Sequence, residues 1–191
     1  IVVPLLWCKR QVVQADPCGT AHAVMLGLEQ VQDTVIIANG DDHYGKGSVQ
    51  QAMDHALHVA HDLHALVAFE LYKTLSPSGG VNRAMCIIAA DGTLRSTEEV
   101  RGLRADPEGR ITSEDGRTWP GEALVSMNLW VLRPTLFPLF RALFGHHQPA
   151  KGEFGLPTVV ASAMEQRHRF RVLRTAESWC GLTHPADAEL V

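Results

Sequence analysis

The chain has no C-x-x-C pair. Its four cysteines, Cys8, Cys18, Cys86 and Cys180, are scattered through 191 residues. That spacing excludes the common zinc and redox motifs, and it fits a reduced, cytoplasmic setting with free thiols. No apolar run approaches the length of a membrane span, so no membrane partner is expected. Positive charge is not in excess. A net charge of -4 gives no electrostatic reason to expect nucleic acid. No serine sits in a G-x-S-x-G elbow, so Ser-His-Asp hydrolysis has no support. The dinucleotide and Walker glycine patterns are absent too, as are internal repeats and low-complexity segments. The sequence starts at Ile1 inside an apolar run, without methionine, and its true N-terminus is expected to lie upstream.

What is there is an ordinary globular balance, 46% hydrophobic and 20% charged, long enough for one domain with a full core. Its most informative run is D-T-V-I-I-A-N-G-D-D-H-Y-G over residues 33–45. Val35, Ile36, Ile37 and Ala38 suit a strand buried on both faces. The run ends in Asn39, Gly40, Asp41 and Asp42, where ligands bind in open α/β sheets. Adjacent carboxylates need a cation or hydrogen bonds to hold them together. Their oxygens suit a hard divalent cation such as Mg²⁺, which commonly bridges one or two carboxylates to phosphates. The alternative is an Asp pair that hydrogen-bonds its own turn. Position alone leaves both readings open.

The elements alternate. A strand over residues 1–7 precedes a turn through Cys18, Gly19 and Thr20 and a helix over 21–31. A strand over 34–38 follows, then a helix to about residue 62 whose start is marked by a Ser48/Gln51 capping box. A strand over 65–72 and a turn over 76–80 come next. Residues 83–90 and 93–100 read as a hairpin about Asp91-Gly92. A polar surface excursion over 106–116 leads to a strand over 123–132. Helices over 134–144 and 157–166 each open on proline. Late strands are expected over 170–173 and 178–182, and the even spacing of Arg167, Arg169 and Arg171 reads as one solvated face. The βαβαβ order implies a three-layer α/β domain with a mostly parallel sheet.

His55, His58, His61 and His64 recur every third residue. Each step slips about sixty degrees around a helix, so the four spiral and do not converge on a metal. His43 lies beside the Asp pair and either lines a pocket or caps the turn. Gly19-Thr20 opens a helix, where exposed N–H groups favour anions or base edges; taken by itself, a plain helix entry with Thr20 as N-cap is the better reading.

Seven segments resemble, in order, the sugar-phosphate nucleotidyltransferases (NDP-sugar pyrophosphorylases), in particular a subgroup with an N-A-D-D-F-Y-G motif. Cys18-Gly19-Thr20-Ala21-His22-Ala23-Val24 resembles W-G-T-A-H-A-V, and Asn39-Gly40-Asp41-Asp42-His43-Tyr44-Gly45 resembles N-A-D-D-F-Y-G. Val81-Asn82-Arg83-Ala84-Met85-Cys86 is similar to V-x-R-G-V-C, and Leu94 to Glu99 to L-x-x-I-x-E. Val125-Ser126-Met127-Asn128-Leu129-Trp130 is similar to V-S-M-N-M-W. Glu153-Phe154-Gly155-Leu156-Pro157 and Trp179-Cys180-Gly181-Leu182-Thr183 complete the series.

The resemblance implies a three-layer α/β/α nucleotide-diphospho-sugar transferase fold with a mostly parallel mixed sheet. It implies Mg²⁺-dependent formation of an NDP-sugar and pyrophosphate from an NTP and a sugar 1-phosphate. It places Asp41 as the catalytic Mg²⁺ ligand, with Gly40 and Asp42 beside it in the substrate site. Gly19 and Thr20 fall at the base contact, and Glu99 and Asn128 at the sugar. Thr183 falls near a second metal position where Asp or Asn is usual. The family's glycine-rich phosphate loop is not in this sequence. The resemblance therefore implies a fragment that lacks the first strands and does not catalyse by itself. Two other readings stand beside it: a non-catalytic nucleotide-sugar-binding domain, and a glycosyltransferase of similar fold, which would normally carry D-x-D in place of adjacent aspartates.

Overall fold

The computed structural model describes residues 2–4, 18–59, 62–76, 79–147 and 152–181. The elements run β1 (Val2–Pro4), α1 (Thr20–Leu28), β2 (Val35–Ile37), β3 (Asp42–His43), α2 (Lys46–His58), β4 (Leu63–Glu70), β5 (Val81–Ile88), β6 (Leu94–Ala105), β7 (Ile111–Thr112), β8 (Thr118–Trp119), β9 (Leu124–Leu132), α3 (Phe137–His146), α4 (Leu156–Glu165), β10 (Arg169–Arg174) and β11 (Cys180–Gly181). Short 3-10 turns follow β4 at Leu71–Thr74 and precede α3 at Pro134–Leu136. No described helix is long and apolar enough to cross a membrane.

β9 is the spine of the sheet. β4 lies along one of its edges, from Ala65 opposite Val131 to Glu70 opposite Leu124. The other edge is shared: β2 pairs with residues 130–132 and β5 with residues 125–126. β4 continues outward to β10, and β5 to β6. The expected mostly parallel sheet is not what forms, because β4 with β10 is the one parallel pairing among the described strands. The physical reason is insertion. β2 and β4 do run the same way, as a βαβ unit requires, but β9 slips between them in the opposite sense.

Helices cover both faces, giving the expected three layers. In β4, Leu66 and Ala68 face a core built with α1, α3 and α4, through Val24, Phe140 and Val159. Ala65, Val67 and Phe69 face the opposite core, with Ala52 and Ala56 of α2. A strand buried on both faces and paired on both edges is expected to be mostly apolar; Leu63–Glu70 is buried through all its interior positions, and its one buried polar side chain, His64, is hydrogen-bonded.

Several local expectations change. The Ser48/Gln51 capping box does not form. Helix α2 starts at Lys46, behind Gly45 at φ 73, with no side-chain cap from its N-cap residue. Ser48 is buried and its hydroxyl meets that of Thr175 at 2.9 Å, while Gln51 Nε2 donates to the Arg174 carbonyl. Tertiary partners outcompete the local box. The polar excursion after β6 is pinned by a buried Ile111 in β7. The Asp91-Gly92 hairpin forms as expected, with Gly92 at φ 79. Arg169 and Arg171 are exposed and both reach Asp91 in that turn.

The largest departure from sequence expectation is Arg133, which is fully buried. Nε donates to Leu63 O at 3.1 Å; Nη1 donates to Thr34 Oγ1 at 3.0 Å and Ala56 O at 2.9 Å. Nη2 donates to His55 O at 2.9 Å and Val59 O at 3.0 Å. All five guanidinium N–H groups are matched, mostly by carbonyls at the C-terminal end of α2, where the helix dipole favours a cation.

Candidate functional site

The turn after β2 opens into a cleft of about 310 Å³. Asn39, Asp41 and Asp42 line one side; Asn82, Arg83 and Ala84 of β5 and Thr97 and Glu99 of β6 line another. Ser126, Met127, Asn128 and Trp130 of β9, Pro157 and Val160 of α4, and Trp179 complete it. Asp41, Asp42, Glu99 and Asn128 are therefore brought together, from three separate parts of the chain.

The two aspartates differ. Asp42 Oδ2 accepts from Asn39 Nδ2 at 2.8 Å and from the Tyr44 hydroxyl at 3.1 Å. The Tyr44 oxygen also accepts the Asn39 N–H at 3.0 Å, and its hydroxyl can donate instead to the Met127 carbonyl at 2.8 Å. Burial, with Asp42 and Asp41 nearby, raises the Tyr44 pKa, so the phenol stays protonated and holds the turn. Asp41 is exposed, and no described side chain or backbone group hydrogen-bonds or ion-pairs with its carboxylate. β3 then pairs with β11, Cys180 opposite His43. His43 is exposed and does not line the cleft.

Asn128 owes its place to a bulge. Val67 of β4 faces Leu129, but its neighbour Ala68 faces Ser126, so Met127 and Asn128 are extra in β9. Asn128 takes φ 62, a left-handed conformation that asparagine tolerates better than most residues. Tyr44 closes the bulge from behind through the Met127 carbonyl.

Arg83 is the cation of the cleft, and sequence reasoning gave it no role although it lies inside the Val81–Cys86 match. Nε donates to Thr74 Oγ1 at 3.2 Å, Nη1 to Asn82 O at 2.8 Å, and Nη2 to Thr74 O. Its guanidinium lies 4.9 Å from the Trp179 ring centroid. Burial lowers its pKa to about 10, and the charges of Asp42 and Glu99 oppose that shift. Trp130 and Trp179 also line the cleft, and their indole N–H groups are buried without an acceptor among the described residues. Both tryptophans stood inside the matched segments, which was the signal available for them.

Gly19, Thr20 and Gly40 are not on the cleft lining. Gly19, at φ 96, is pressed so close to Phe154 that a Cβ would lie 2.6 Å from its carbonyl oxygen. Thr20 Oγ1 accepts the Leu156 N–H at 3.0 Å. Together they dock the start of α4, whose Pro157 and Val160 wall the cleft. Gly40 is exposed at the turn. Thr183 lies outside the described residues. Among the described residues, no group of three or more His, Cys, Asp or Glu side chains is arranged to hold a metal ion.

Of the four-histidine pattern, His61 lies outside the described residues, while His55 and His64 have structural partners. His55 Nε2 meets the Leu63 carbonyl at 3.0 Å. His64 is fully buried, accepts the Arg133 N–H at Nδ1, and meets His168 Nδ1 through Nε2 at 3.1 Å.

No protein-family model matches the sequence. A comparison with curated proteins likewise gives no match. Solved structures do. The inositol-1-phosphate CTP transferase of T. maritima superposes with a TM-score of 0.58 at 11% identity, over 89% of this chain and 58% of its own. HddC of Yersinia pseudotuberculosis, solved with GMP-PN, gives 0.55 at 13% identity, over 94% of this chain and 63% of its own. A Bacillus anthracis protein assigned as a glucose-1-phosphate thymidylyltransferase, solved with sucrose, gives 0.58 at 12% identity, over 94% of this chain and 61% of its own. The chain thus spans about three-fifths of the length of these neighbours. The chain has the fold of the sugar-phosphate nucleotidyltransferases.

Proposed function

We propose that the protein containing this chain transfers a nucleotidyl group from an NTP to a sugar 1-phosphate, releasing pyrophosphate, in a Mg²⁺-dependent reaction. The observation that carries the reading is the division of labour at residues 41 and 42. Asp42 is compensated by Asn39 and Tyr44, whereas Asp41 presents to a polar cleft a carboxylate that no group among the described residues engages. A lone carboxylate is a poor cage for a cation but fits Mg²⁺, which usually keeps waters and shares itself between one or two carboxylates and substrate phosphates. Asp41 would hold the ion, which when bound neutralises charge on the phosphate oxygens.

The rest of the cleft suits a hydroxyl-rich, anionic ligand. Glu99 and Asn128 offer an acceptor and an amide to sugar hydroxyls. Arg83 is a fixed cation beside them. In-line attack by the sugar phosphate oxygen on the α-phosphorus needs positioning and charge neutralisation, which these residues supply without a protein nucleophile. A cytoplasmic setting accords with the free thiols of Cys18 and Cys86.

The test is a pyrophosphate-release screen of the full-length protein against NTPs and sugar 1-phosphates, with and without Mg²⁺. Asp41→Asn is expected to abolish Mg²⁺-dependent release while leaving the melting curve unchanged. Unaltered turnover in that variant would remove Asp41 from the mechanism. Binding of an NDP-sugar with no turnover of any pair would move the assignment to a nucleotide-sugar-binding domain.

A further inference from the structure

The segment after β10 carries Trp179 into the cleft and β11 against β3, yet it contains only a two-residue strand. Something else must hold it. The first turn of the 13-residue helix α2 supplies the anchor. The Glu177 carboxylate sits there and accepts the Gly47 N–H at 2.8 Å. A Cβ at Gly45 would lie 2.6 Å from Glu177 Oε2, and one at Gly47 would collide with Oε1, so both positions leave room for this carboxylate. A carboxylate on a helix N-terminus satisfies an otherwise orphaned donor and meets the positive end of the dipole.

We infer that Glu177 is a positioning residue for the cleft: seated on α2, it pins the 175–181 segment so that Trp179 lies on Arg83. The inference rests on the nucleotidyltransferase reading for its effect on substrate, but not for its effect on Trp179. Its neighbours support the same strap. Thr175 meets buried Ser48, Lys73 Nζ donates to the Ala176 carbonyl at 2.6 Å, and the Trp179 N–H donates to the Lys73 carbonyl at 3.2 Å. Glu177 itself does not line the cleft.

The test compares wild type with Glu177→Ala, Glu177→Gln, Gly47→Ala and the Gly47→Ala/Glu177→Ala pair in the full-length protein. The first readout is acrylamide quenching of Trp179 fluorescence, assigned by difference from Trp179→Phe. Glu177→Ala is expected to raise that quenching. Glu177→Gln restores it, because its amide oxygen can still accept the Gly47 N–H. Gly47→Ala raises quenching when Glu177 is present and adds nothing in the Glu177→Ala background, where the collision is gone. The second readout is kinetic: Glu177→Ala raises KM for the sugar phosphate by about tenfold with little change in kcat. Quenching unaffected by Glu177→Ala, or a Gly47→Ala effect that persists without Glu177, overturns the inference. Absence of turnover in every protein, wild type included, overturns the reaction while the fluorescence result still decides the strap.

Discussion

Replacing Arg133 by methionine keeps most of the side-chain volume and deletes five donors at once. The acceptors do not all suffer equally. The His55 carbonyl retains the Val59 N–H at 3.2 Å, and the Leu63 carbonyl retains His55 Nε2 at 3.0 Å. The Ala56 and Val59 carbonyls are left without a described partner. An orphaned buried polar group costs ~1–3 kcal/mol, so the pair costs about 2–6 kcal/mol. Acting the other way, burial disfavours the guanidinium charge and lowers its pKa, and Asp62 compensates only partly. Removing the charge recovers that penalty, but the C-terminal dipole of α2 had already offset roughly 0.3–2 kcal/mol of it. We expect a net loss of about 3 kcal/mol. With a urea slope of roughly 2 kcal/mol/M, the midpoint should fall by about 1.5 M. Arg133→Lys should not rescue it, since one ammonium cannot reach acceptors spread around a planar fork. A methionine variant within about 0.5 kcal/mol of wild type, or full rescue by lysine, would refute the reasoning.

Two further outcomes follow from buried groups. His64 can gain a proton only at Nδ1, which already accepts the Arg133 N–H; burial first, then His168 and Arg133, lowers its pKa to about 3. A depressed folded pKa means stability is intact above the unfolded value and lost as pH falls toward about 3, at up to ~1.4 kcal/mol per pH unit, and His55 is shifted the same way. Urea midpoints at pH 7, 5 and 4 should therefore fall less steeply in His64→Gln, and equal slopes would contradict the assignment. Tyr44→Phe should cost about 1–3 kcal/mol and speed amide exchange at Asn39, because the Asn39 N–H and Met127 C=O both lose their partner. Wild-type protection at Asn39 would count against this.

Short-range patterns were legible where the cause is local. Val35–Ile37 is a buried strand, Asp91-Gly92 turns a hairpin, and Pro134 and Pro157 open helical segments, each because nearby residues decide the outcome. Where the cause is distant, sequence reasoning failed. Nothing near β9 says that it inserts between β2 and β4, and nothing near Ser48 says that Thr175 will claim it. An arginine at position 133 reads as surface until α2 ends above it. The site was partly legible: four of the residues named for it share the cleft, but Arg83, Trp130 and Trp179 take their places from packing across the sheet. The resemblance put Gly19 and Thr20 at the base contact, and here the 154–156 segment sits against them.

The bulge in β9 sets rules for change in this protein. It adds two residues, Met127 and Asn128, and an even number leaves inside–outside alternation unbroken on either side. Val125 and Leu129 thus stay in one core while Trp130 and Leu132 stay in the other. Loss or gain of a single residue here would turn one half of the strand inside out, whereas loss of both would leave the cores in phase, at the cost of the buried Met127 side chain and of the carbonyl that meets Tyr44. Asn128 thus stands on a wall of the cleft where chain length can change only in steps of two if both halves of β9 are to keep their faces.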